Sequence, residues 1–258
     1  MRIARFTWRD EVGYGIVEGE EGSETVHLIH GDPLYTQVSE VGTTVALDEV
    51  RLLAPVIPRS KVVGVGRNYV AHAREMGHEL SREPLIFLKP NTSVAGPGDP
   101  IVLPRFSHRV SHEAELAVII SRLCKDVPPE RVDDVILGYT VANDVTARDA
   151  QESDGQWTRA KGFDTSCPLG PWIETDFDAA DAPVRAWVDG ELRQDGNTAD
   201  MVTGVAGLIE YISSVFTLLP GDVILTGTPA GVGPLEPGNR VTCEVGGIGT
   251  LSNPVVRR

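Results

Sequence analysis

The sequence predicts a mixed α+β fold that is rich in β-strands, a roll or barrel with short helices at its periphery. The 258 residues include 27 glycines and 18 prolines, which favour many turns and short strands over long helices. Short apolar segments recur between these turns, as is typical of β-strands. The predicted helices are few and do not alternate with the strands, which argues against a doubly wound parallel sheet.

The first 58 residues are predicted to form a small N-terminal module. Pro55 and Pro58 end this segment, because proline restricts the residue before it and cannot donate a ladder hydrogen bond. We therefore expect a module of residues 1–58 and a larger domain of residues 59–258. Within the module, strands are predicted at Ile3–Trp8, Gly13–Glu18 and Thr25–Ile29.

The larger domain contains most of the predicted strands. A short helix is predicted at Tyr69–Met76, with Asn68 as its N-cap and Gly77 as its C-terminal stop. A longer helix is predicted at Met201–Leu218, where apolar residues recur with helical spacing. Strands are predicted at Lys61–Val65, Pro84–Lys89, Ile101–Leu103, Glu113–Ser121, Val135–Asn143, Asp222–Thr226 and Arg240–Val245.

Composition argues against several classes of partner and of site. The formal net charge of -14 argues against nucleic acids and membrane surfaces, because an acidic protein repels phosphates and anionic lipids. Three cysteines without a C-x-x-C pair indicate neither a disulfide framework nor a thiolate zinc site. The N terminus lacks a signal-peptide pattern, and no apolar run reaches the roughly 18 residues that span a bilayer. We expect a soluble cytoplasmic protein.

Two glutamates at the start of a predicted strand give the strongest indication of a site. Alternate strand residues share a face, so Glu113 and Glu115 point the same way with Cα atoms about 7 Å apart. Their neighbours in HEAELAVII are too apolar for a solvated strand, and Mg²⁺ or Mn²⁺ would neutralise such a pair. Alternatively, one face of the strand simply meets water. Asp144 ends the next strand and offers a third carboxylate, while Asp149 is placed to cap the following segment.

A second group of candidates lies on the short predicted helix. His72 and Glu75 are three residues apart, so they share one face of that helix. A carboxylate beside an imidazole orients the ring and favours its action as a general base. The alternative is an ordinary ion pair on the surface.

Four further polar residues are candidates for anion binding. Lys161 lies in the partly apolar segment WTRAKGFD, where it could contact an anion or a developing oxyanion, or simply be solvated. Arg67, Arg148 and Gln151 are similar candidates, and each is weak alone.

A loop rich in glycine and proline at residues 225–238 is the last candidate. Its backbone N–H groups, including that of Gly227, and the hydroxyls of Thr226 and Thr228 could hold a carboxylate, or the loop could be a hairpin connection. The sequence has no Walker A loop, no complete dinucleotide fingerprint and no G-x-S-x-G elbow. Nucleotide binding and serine hydrolase chemistry are therefore not indicated.

Taken together, these segments resemble the fumarylacetoacetate hydrolase family. The resemblance extends from Lys61 to about Pro254, and the chain looks most similar to single-domain bacterial 2-hydroxyhepta-2,4-diene-1,7-dioate isomerases and acylpyruvate hydrolases. The matching segments, in order, are VGVGRNYVAHAREMG, PLIFLKPNTSVAGPGDPIVLP, HEAELAVII, LGYTVANDVTARDAQ, WTRAKGFDTSCPLGPW and LLPGDVILTGTPAGVGPLEPG.

The resemblance implies a β-sandwich roll, a homodimer and one Mg²⁺ or Mn²⁺ in each site. The family's E-x-E pair and later aspartate correspond to Glu113, Glu115 and Asp144. One departure is Gly162, since many relatives carry serine after the lysine.

The resemblance also implies roles for the other candidates. His72 and Glu75 correspond to a catalytic dyad on a short helix that closes as a lid. Gln151 and Lys161 correspond to residues that bind and orient the substrate, and Thr226–Pro229 corresponds to the T-G-T-P loop.

The implied substrate is a small anionic 2-oxo acid or its enol. The implied reaction is acylpyruvate-type C–C bond hydrolysis or decarboxylation through a metal-stabilised enolate, which the intact H-x-x-E dyad favours. The alternatives are isomerisation of 2-hydroxyhepta-2,4-diene-1,7-dioate in aromatic catabolism and a non-catalytic relative that binds small acids. We expect the segment Met76–Arg82 and the N-terminal module to influence specificity for the distal part of the substrate.

Overall fold

The computed structural model describes residues 1–75, 77 and 83–257. Within them the chain forms nineteen β-strands and four α-helices. The strands are β1 (Arg2–Trp8), β2 (Glu11–Glu18), β3 (Thr25–Ile29), β4 (Glu40–Ala46), β5 (Arg51–Leu52), β6 (Val62–Gly66), β7 (Leu85–Lys89), β8 (Val94–Ala95), β9 (Ile101–Leu103), β10 (Val110–Ser111), β11 (Ala114–Ile120), β12 (Ile136–Asn143), β13 (Thr146–Ala147), β14 (Cys167–Glu174), β15 (Pro183–Val188), β16 (Glu191–Asn197), β17 (Val223–Leu225), β18 (Arg240–Val245) and β19 (Gly249–Arg257). The α-helices are α1 (Val70–Glu75), α2 (Arg148–Asp154), α3 (Thr158–Lys161) and α4 (Val205–Val215).

The strands form three sheets. The largest has twelve strands along the path β4-β3-β2-β1-β14-β12-β11-β17-β6-β7, with β5 beside β1 and β8 beside β14. A second sheet has the order β16-β15-β18-β19-β9, and β10 pairs with β13. Most neighbours are antiparallel, and β17 and β6 are a parallel pair in the large sheet. The predicted strand-rich α+β fold with few short helices is confirmed, as is the argument against a doubly wound sheet.

The apolar run of β11 lies between two hydrophobic clusters. All seven of its residues are buried. Leu116 and Val118 belong to the larger cluster, which includes residues of the five-stranded sheet and of α4. Ala117 and Ile119 point to the other face of the sheet, into the smaller cluster. Both faces of this strand are therefore covered, which explains why its sequence is continuously apolar rather than alternating.

The sheet order brings several strand ends to one edge. Because β17 and β6 are parallel, both end at the same edge. Since β11 is antiparallel to β17, it begins at that edge, and β12, antiparallel to β11, ends there. The segments that follow β6, β12 and β17 therefore meet the start of β11. These four places carry most of the candidate residues.

Helix α4 is the longest described helix, but it is shorter than predicted. It runs from Val205 to Val215 rather than over Met201–Leu218. Met201 instead pairs with Tyr69 in an isolated β-bridge, and the chain is extended at Phe216. Among the helices of the described residues, none is long and apolar enough to cross a membrane.

Asn68 does not cap α1, contrary to the prediction. Its amide nitrogen donates to the carbonyl oxygens of Thr203 and Thr226, at 2.9 and 2.8 Å, and its side-chain oxygen accepts from the Thr203 N–H. The side chain thus connects the segment after β6 with two distant loops. An asparagine that caps a helix and one that joins two loops cannot be told apart from the sequence, because the same amide donor and acceptor serve both roles.

The C-terminal end of α1 agrees with the prediction. Gly77 adopts a φ of +68° and its N–H donates to the carbonyl oxygen of Arg74 at 3.0 Å. The segment Met76–Arg82, expected to influence specificity, lies outside the described residues except for Gly77.

The N-terminal strands extend the large sheet. Strand β1 pairs with β14, with Ile3 opposite Ile173, and β2, β3 and β4 continue the sheet outward. Phe6 is buried in the larger hydrophobic cluster. The division into a module of residues 1–58 and a domain of residues 59–258 stays a prediction, because these strands share a sheet with the rest of the chain.

Candidate active site

Three carboxylates converge at the sheet edge. One oxygen from each of Glu113, Glu115 and Asp144 lies within 4.8 Å of the others, and all three side chains are buried. The register of β11 and β12 brings them together, because the N–H of Asp144 donates to the carbonyl oxygen of Glu113 at 2.8 Å. Asp149 points elsewhere and accepts hydrogen bonds from the Ser107 hydroxyl and from nearby backbone N–H groups.

Three buried cations contact two of these carboxylates. Lys161 Nζ donates to Glu113 Oε2 at 2.6 Å and to Asp144 Oδ2 at 2.7 Å. Lys89 Nζ donates to the other oxygen of Asp144 at 2.5 Å. Arg148 Nη2 lies 2.6 Å from Glu113 Oε1. Each cation is at most 5% exposed, so these ion pairs form with little screening by water.

The pKa values of Glu113 and Glu115 are shifted in opposite directions because the two side chains have different neighbours. Burial by itself raises the pKa of Glu113, but Lys161 and Arg148 outweigh burial and lower this pKa below its ordinary value. Burial and the charges of Asp144 and Glu113 raise the pKa of Glu115 well above its ordinary value. Burial lowers the pKa of Lys161, but Asp144 and Glu113 outweigh it and raise that pKa. Glu115 is therefore the carboxylate whose charge the protein leaves uncompensated.

The residues present fit a hard divalent cation. Glu115 forms no ion pair with any described residue, and its one hydrogen bond comes from the Gly227 N–H at 2.7 Å. Three buried oxygen ligands without nitrogen or sulfur suit Mg²⁺ or Mn²⁺. A bound dication would offset both the burial and the repulsion by Asp144 and Glu113 that raise the pKa of Glu115.

Helix α1 places the predicted dyad at the same edge. His72 Nδ1 lies 3.3 Å from Glu75 Oε2, and the residue His72 is 7% exposed. The Glu75 carboxylate also accepts the Gly231 N–H, at 3.1 and 3.2 Å from its two oxygens. The glutamate thus orients the imidazole and attaches α1 to the loop after β17.

Most of the predicted site residues line one cavity at this edge. Arg148 Nη1 donates to Gln151 Oε1 at 3.0 Å, so these two candidates form one polar group. The predicted residues that line the cavity are Arg67, His72, Glu113, Glu115, Arg148, Gln151, Lys161 and Thr228.

The loop at Thr226–Pro229 is fastened to the start of β11. The Thr226 and Thr228 hydroxyls donate to carbonyl oxygens of β11, at 2.9 and 2.8 Å. The Gly227 N–H, expected to be free for a substrate carboxylate, instead donates to Glu115. Thr228 lines the cavity, whereas Thr226 and Gly227 do not. The loop therefore positions protein groups, and Thr228 is its member in the cavity wall.

Three neighbours of the site are not among the predicted residues. Lys89 could have been found as the one charge that ends the apolar strand LIFLK. Trp157 lines the cavity and packs edge-on against Phe87, with ring centroids 5.4 Å apart. Gln194 accepts the Ala114 N–H at 2.9 Å and donates to the Thr228 hydroxyl at 2.7 Å, but in GELRQDG it resembles any polar strand residue.

Comparison with known proteins identifies the family. The model of the family described as "Fumarylacetoacetate (FAA) hydrolase C-terminal" matches residues 61–256. A second model, "Rv2993c-like, N-terminal", matches residues 1–55.

Similar proteins carry several different activities in their names. A 2-hydroxyhepta-2,4-diene-1,7-dioate isomerase structure from Mycobacterium marinum is 50% identical, with a TM-score of 0.93 over 100% of this chain and 99% of that one. A mitochondrial oxaloacetate decarboxylase of Dictyostelium discoideum is 44% identical over 74% of this chain and 90% of its own. A maleylpyruvate hydrolase from Sphingobium sp. SYK-6, in complex with manganese (II) ion and pyruvate, is 32% identical, with a TM-score of 0.81 over 100% and 99%. The chain belongs to the fumarylacetoacetate hydrolase family of enzymes.

Proposed function

We propose that this protein is a divalent-metal-dependent enzyme that acts on a small anionic 2-oxo acid or its enol. The reaction would be C–C bond hydrolysis of an acylpyruvate or decarboxylation of a 2-oxo acid. The observation that carries the proposal is the buried triad of Glu113, Glu115 and Asp144. The names of the Dictyostelium decarboxylase and the Sphingobium hydrolase support it.

Glu113, Glu115 and Asp144 would hold one Mg²⁺ or Mn²⁺. The bound ion would supply positive charge against the negative charge that develops on the 2-oxo oxygen. The Sphingobium relative, which was solved in complex with manganese (II) ion, supports Mn²⁺ as one such ion. No nitrogen or sulfur ligand lies in the triad, which favours these hard cations over zinc.

The remaining residues of the cavity would bind and orient the acid. Lys161 and Arg148 supply the positive charge that an anionic substrate needs in a protein of net charge -14. Gln151 lines the same cavity, where its amide can hydrogen-bond to a substrate oxygen. These groups are already oriented by contacts with Glu113 and with each other, so little ordering is needed on binding.

His72 would move the proton. In a hydrolase it would take a proton from water that attacks the distal carbonyl, while Glu75 holds the ring and stabilises its charged form. In an isomerase it would carry the proton between two carbons, an alternative that the Mycobacterium marinum isomerase supports. A non-catalytic relative that binds small acids is the remaining alternative. The protein is also proposed to be a homodimer.

A substrate panel tests the proposal. The panel contains oxaloacetate, acetylpyruvate, fumarylpyruvate and the seven-carbon dienoate. We expect Mn²⁺-dependent turnover of at least one of these compounds, and analysis of the products identifies the reaction. Glu115→Gln should lower that turnover by at least about 10²-fold, because the third oxygen ligand loses its charge. Glu130→Gln removes one exposed carboxylate in the segment before β12, at the opposite end of that strand from Asp144, and should have no effect. No turnover by the wild type favours a binding protein, and full activity of Glu115→Gln contradicts the proposed role of the triad.

A further inference from the structure

Gln194 is a buried polar side chain to which the proposed function gives no role. It lies on β16 of the five-stranded sheet and is 0% exposed, whereas Leu192, two residues earlier, is 49% exposed. Alternate strand residues normally share a face. The register of β15 and β16 shifts between Leu192 and Gln194, so Arg193 is an extra, bulged residue that breaks the alternation. Such bulges change the direction of a side chain and are frequent beside active sites.

The amide of Gln194 uses its full capacity for hydrogen bonds. Its Oε1 accepts from the Ala114 N–H at 2.9 Å and from His112 Nδ1 at 3.0 Å. Its Nε2 donates to the Pro229 carbonyl oxygen at 2.8 Å and to the Thr228 hydroxyl at 2.7 Å. The Ala114 N–H can only donate and the Pro229 carbonyl can only accept, so the orientation of the amide is fixed. One side chain thus connects the start of β11 with the loop after β17.

Strand β16 also supports the same loop by close backbone packing. Gly231 of the loop lies against Arg193 and Gln194, and an added Cβ would overlap the Arg193 carbonyl oxygen. Gly196 of the strand lies against Pro229, and a Cβ there would overlap the proline ring. Because both positions are glycine, the loop can lie directly on β16.

The supported loop holds the glutamate of the dyad. The Gly231 N–H donates to the two Glu75 oxygens, at 3.1 and 3.2 Å, and Glu75 Oε2 lies 3.3 Å from His72 Nδ1. The position of the imidazole therefore depends on the loop, and the position of the loop depends on β16. An apolar side chain in place of the amide would fill the same space, but it would not fix the loop relative to the start of β11, where Glu113 and Glu115 lie.

We propose that Gln194 is a positioning residue, which holds the loop after β17 so that Glu75 and His72 keep their place relative to the carboxylate triad. The inference rests on the proposed function, because the role of the dyad in proton transfer is part of that function. Gln194 is not among the described residues that line the cavity, so it acts through the dyad and not on the substrate. A small displacement of a reacting group lowers the rate much more than it lowers binding.

Hydrogen exchange, measured by mass spectrometry, tests the support of the loop without turnover. Gln194→Met keeps the length of the side chain and removes all four hydrogen bonds. We expect amides in residues 226–235 to exchange at least about tenfold faster than in the wild type, while those of β12 are unchanged. Gln37→Met, at an exposed glutamine between β3 and β4, should exchange as the wild type does. Wild-type exchange of the loop in Gln194→Met would overturn the proposal.

Steady-state kinetics on the Mn²⁺-loaded protein test whether Gln194 acts through the dyad. With the preferred compound of the substrate panel, Gln194→Met should lower kcat at least about tenfold and leave KM within about threefold. Mn²⁺ affinity should stay within about twofold. In a Glu75→Gln background, Gln194→Met should lower kcat by less than about a further twofold, because both changes break the same connection. Losses that multiply would show a general structural effect and overturn the proposal.

A second variant displaces the loop and leaves the amide intact. Gly196→Ala would push Pro229 away from β16, so we expect the same faster exchange, the same loss of kcat and no further loss beside Glu75→Gln. Gly204→Ala, where an added Cβ has no described neighbour within 4 Å, should behave as the wild type. Thermal unfolding checks that each variant is folded, and Gly196→Ala decides the question if Gln194→Met does not fold.

Failure of this inference and failure of the proposed function give different results. A wild type that turns over no compound of the panel would overturn the proposed function, and with it the role of Gln194 in catalysis. A wild type with turnover, combined with a Gln194→Met variant of unchanged kcat or of equally reduced kcat and Mn²⁺ affinity, would overturn the role of Gln194 alone.

Discussion

Glu115 is the residue whose pKa shows most clearly how the charges of the site act on one another. It is buried between two other carboxylates, and the cations of the site are paired with those two and not with it. Its pKa is raised, first by burial and then by the charges of Asp144 and Glu113. The metal-free protein therefore holds a proton at Glu115 over a range of pH in which an exposed glutamate is ionised.

This raised pKa predicts that metal binding releases a proton. The ion needs the ionised carboxylate, so below the Glu115 pKa it must displace the proton, and affinity weakens by up to about tenfold per pH unit. Mn²⁺ affinity should therefore rise with pH until Glu115 ionises unaided. Titration calorimetry in buffers of different ionisation enthalpy measures the released proton. His72→Gln should release it as the wild type does, and a binding heat that is independent of the buffer would contradict the prediction.

The site residues that can be predicted from the sequence are charged residues that stand in or beside an apolar strand, where a charge is not expected. Glu115 lies within an apolar strand and Glu113 directly precedes it, and such a conflict by itself indicates a site. Lys89 presents a similar conflict, because it is the one charge at the end of an apolar strand, and this signal could have identified it although it is not among the predicted residues. Thr226 is predicted to bind substrate, but its hydroxyl hydrogen-bonds to β11.

At the scale of elements, α1 and the loop after β17 form one unit. Glu75 contacts both His72 and the Gly231 N–H, so the same carboxylate orients the imidazole and fixes the helix to the loop. A Cβ at Gly231 would lie 2.0 Å from a backbone oxygen, which explains why glycine occupies this position. The orientation of the dyad thus depends on a loop more than 150 residues away in sequence.

Glu75→Gln tests this unit. The amide keeps one hydrogen-bonding oxygen but loses the charge that stabilises a protonated imidazole, so we expect kcat on the preferred substrate to fall at least about tenfold. Mn²⁺ affinity should stay within about twofold, because Glu75 is not part of the triad. Steady-state kinetics and calorimetry measure the two quantities, with Glu130→Gln as the control. Equal kcat values, or a parallel loss of metal binding, would show that Glu75 does not act through His72.

The presence of a helix or strand is easier to predict from the sequence than the residues at which it begins and ends. Thr25–Ile29, Ile101–Leu103 and Arg240–Val245 have the predicted bounds, because turns delimit them on both sides. The helix predicted at Met201–Leu218 is shorter at both ends, since Met201 pairs with Tyr69 and the chain is extended from Phe216. Such tertiary contacts override helical periodicity and leave no trace in local sequence.

At the scale of the whole molecule, sheet order assembles the site. The segments that meet at the edge come from residues near 67, 113, 144, 161 and 227, and neighbours such as β6 and β17 are far apart in sequence. The sequence indicates which residues are unusual, but not which strands pair, because pairing depends on packing of the entire sheet. The family resemblance supplies that arrangement. The homodimer and the domain division at residue 58 stay predictions.

The most direct test of the account is anomalous diffraction from a crystal grown with MnCl₂ at neutral pH. We expect one manganese peak bonded, at roughly 2.0–2.3 Å, to a carboxylate oxygen from each of Glu113, Glu115 and Asp144. A map without a peak at the triad, with the three side chains turned away from one another, would contradict the account.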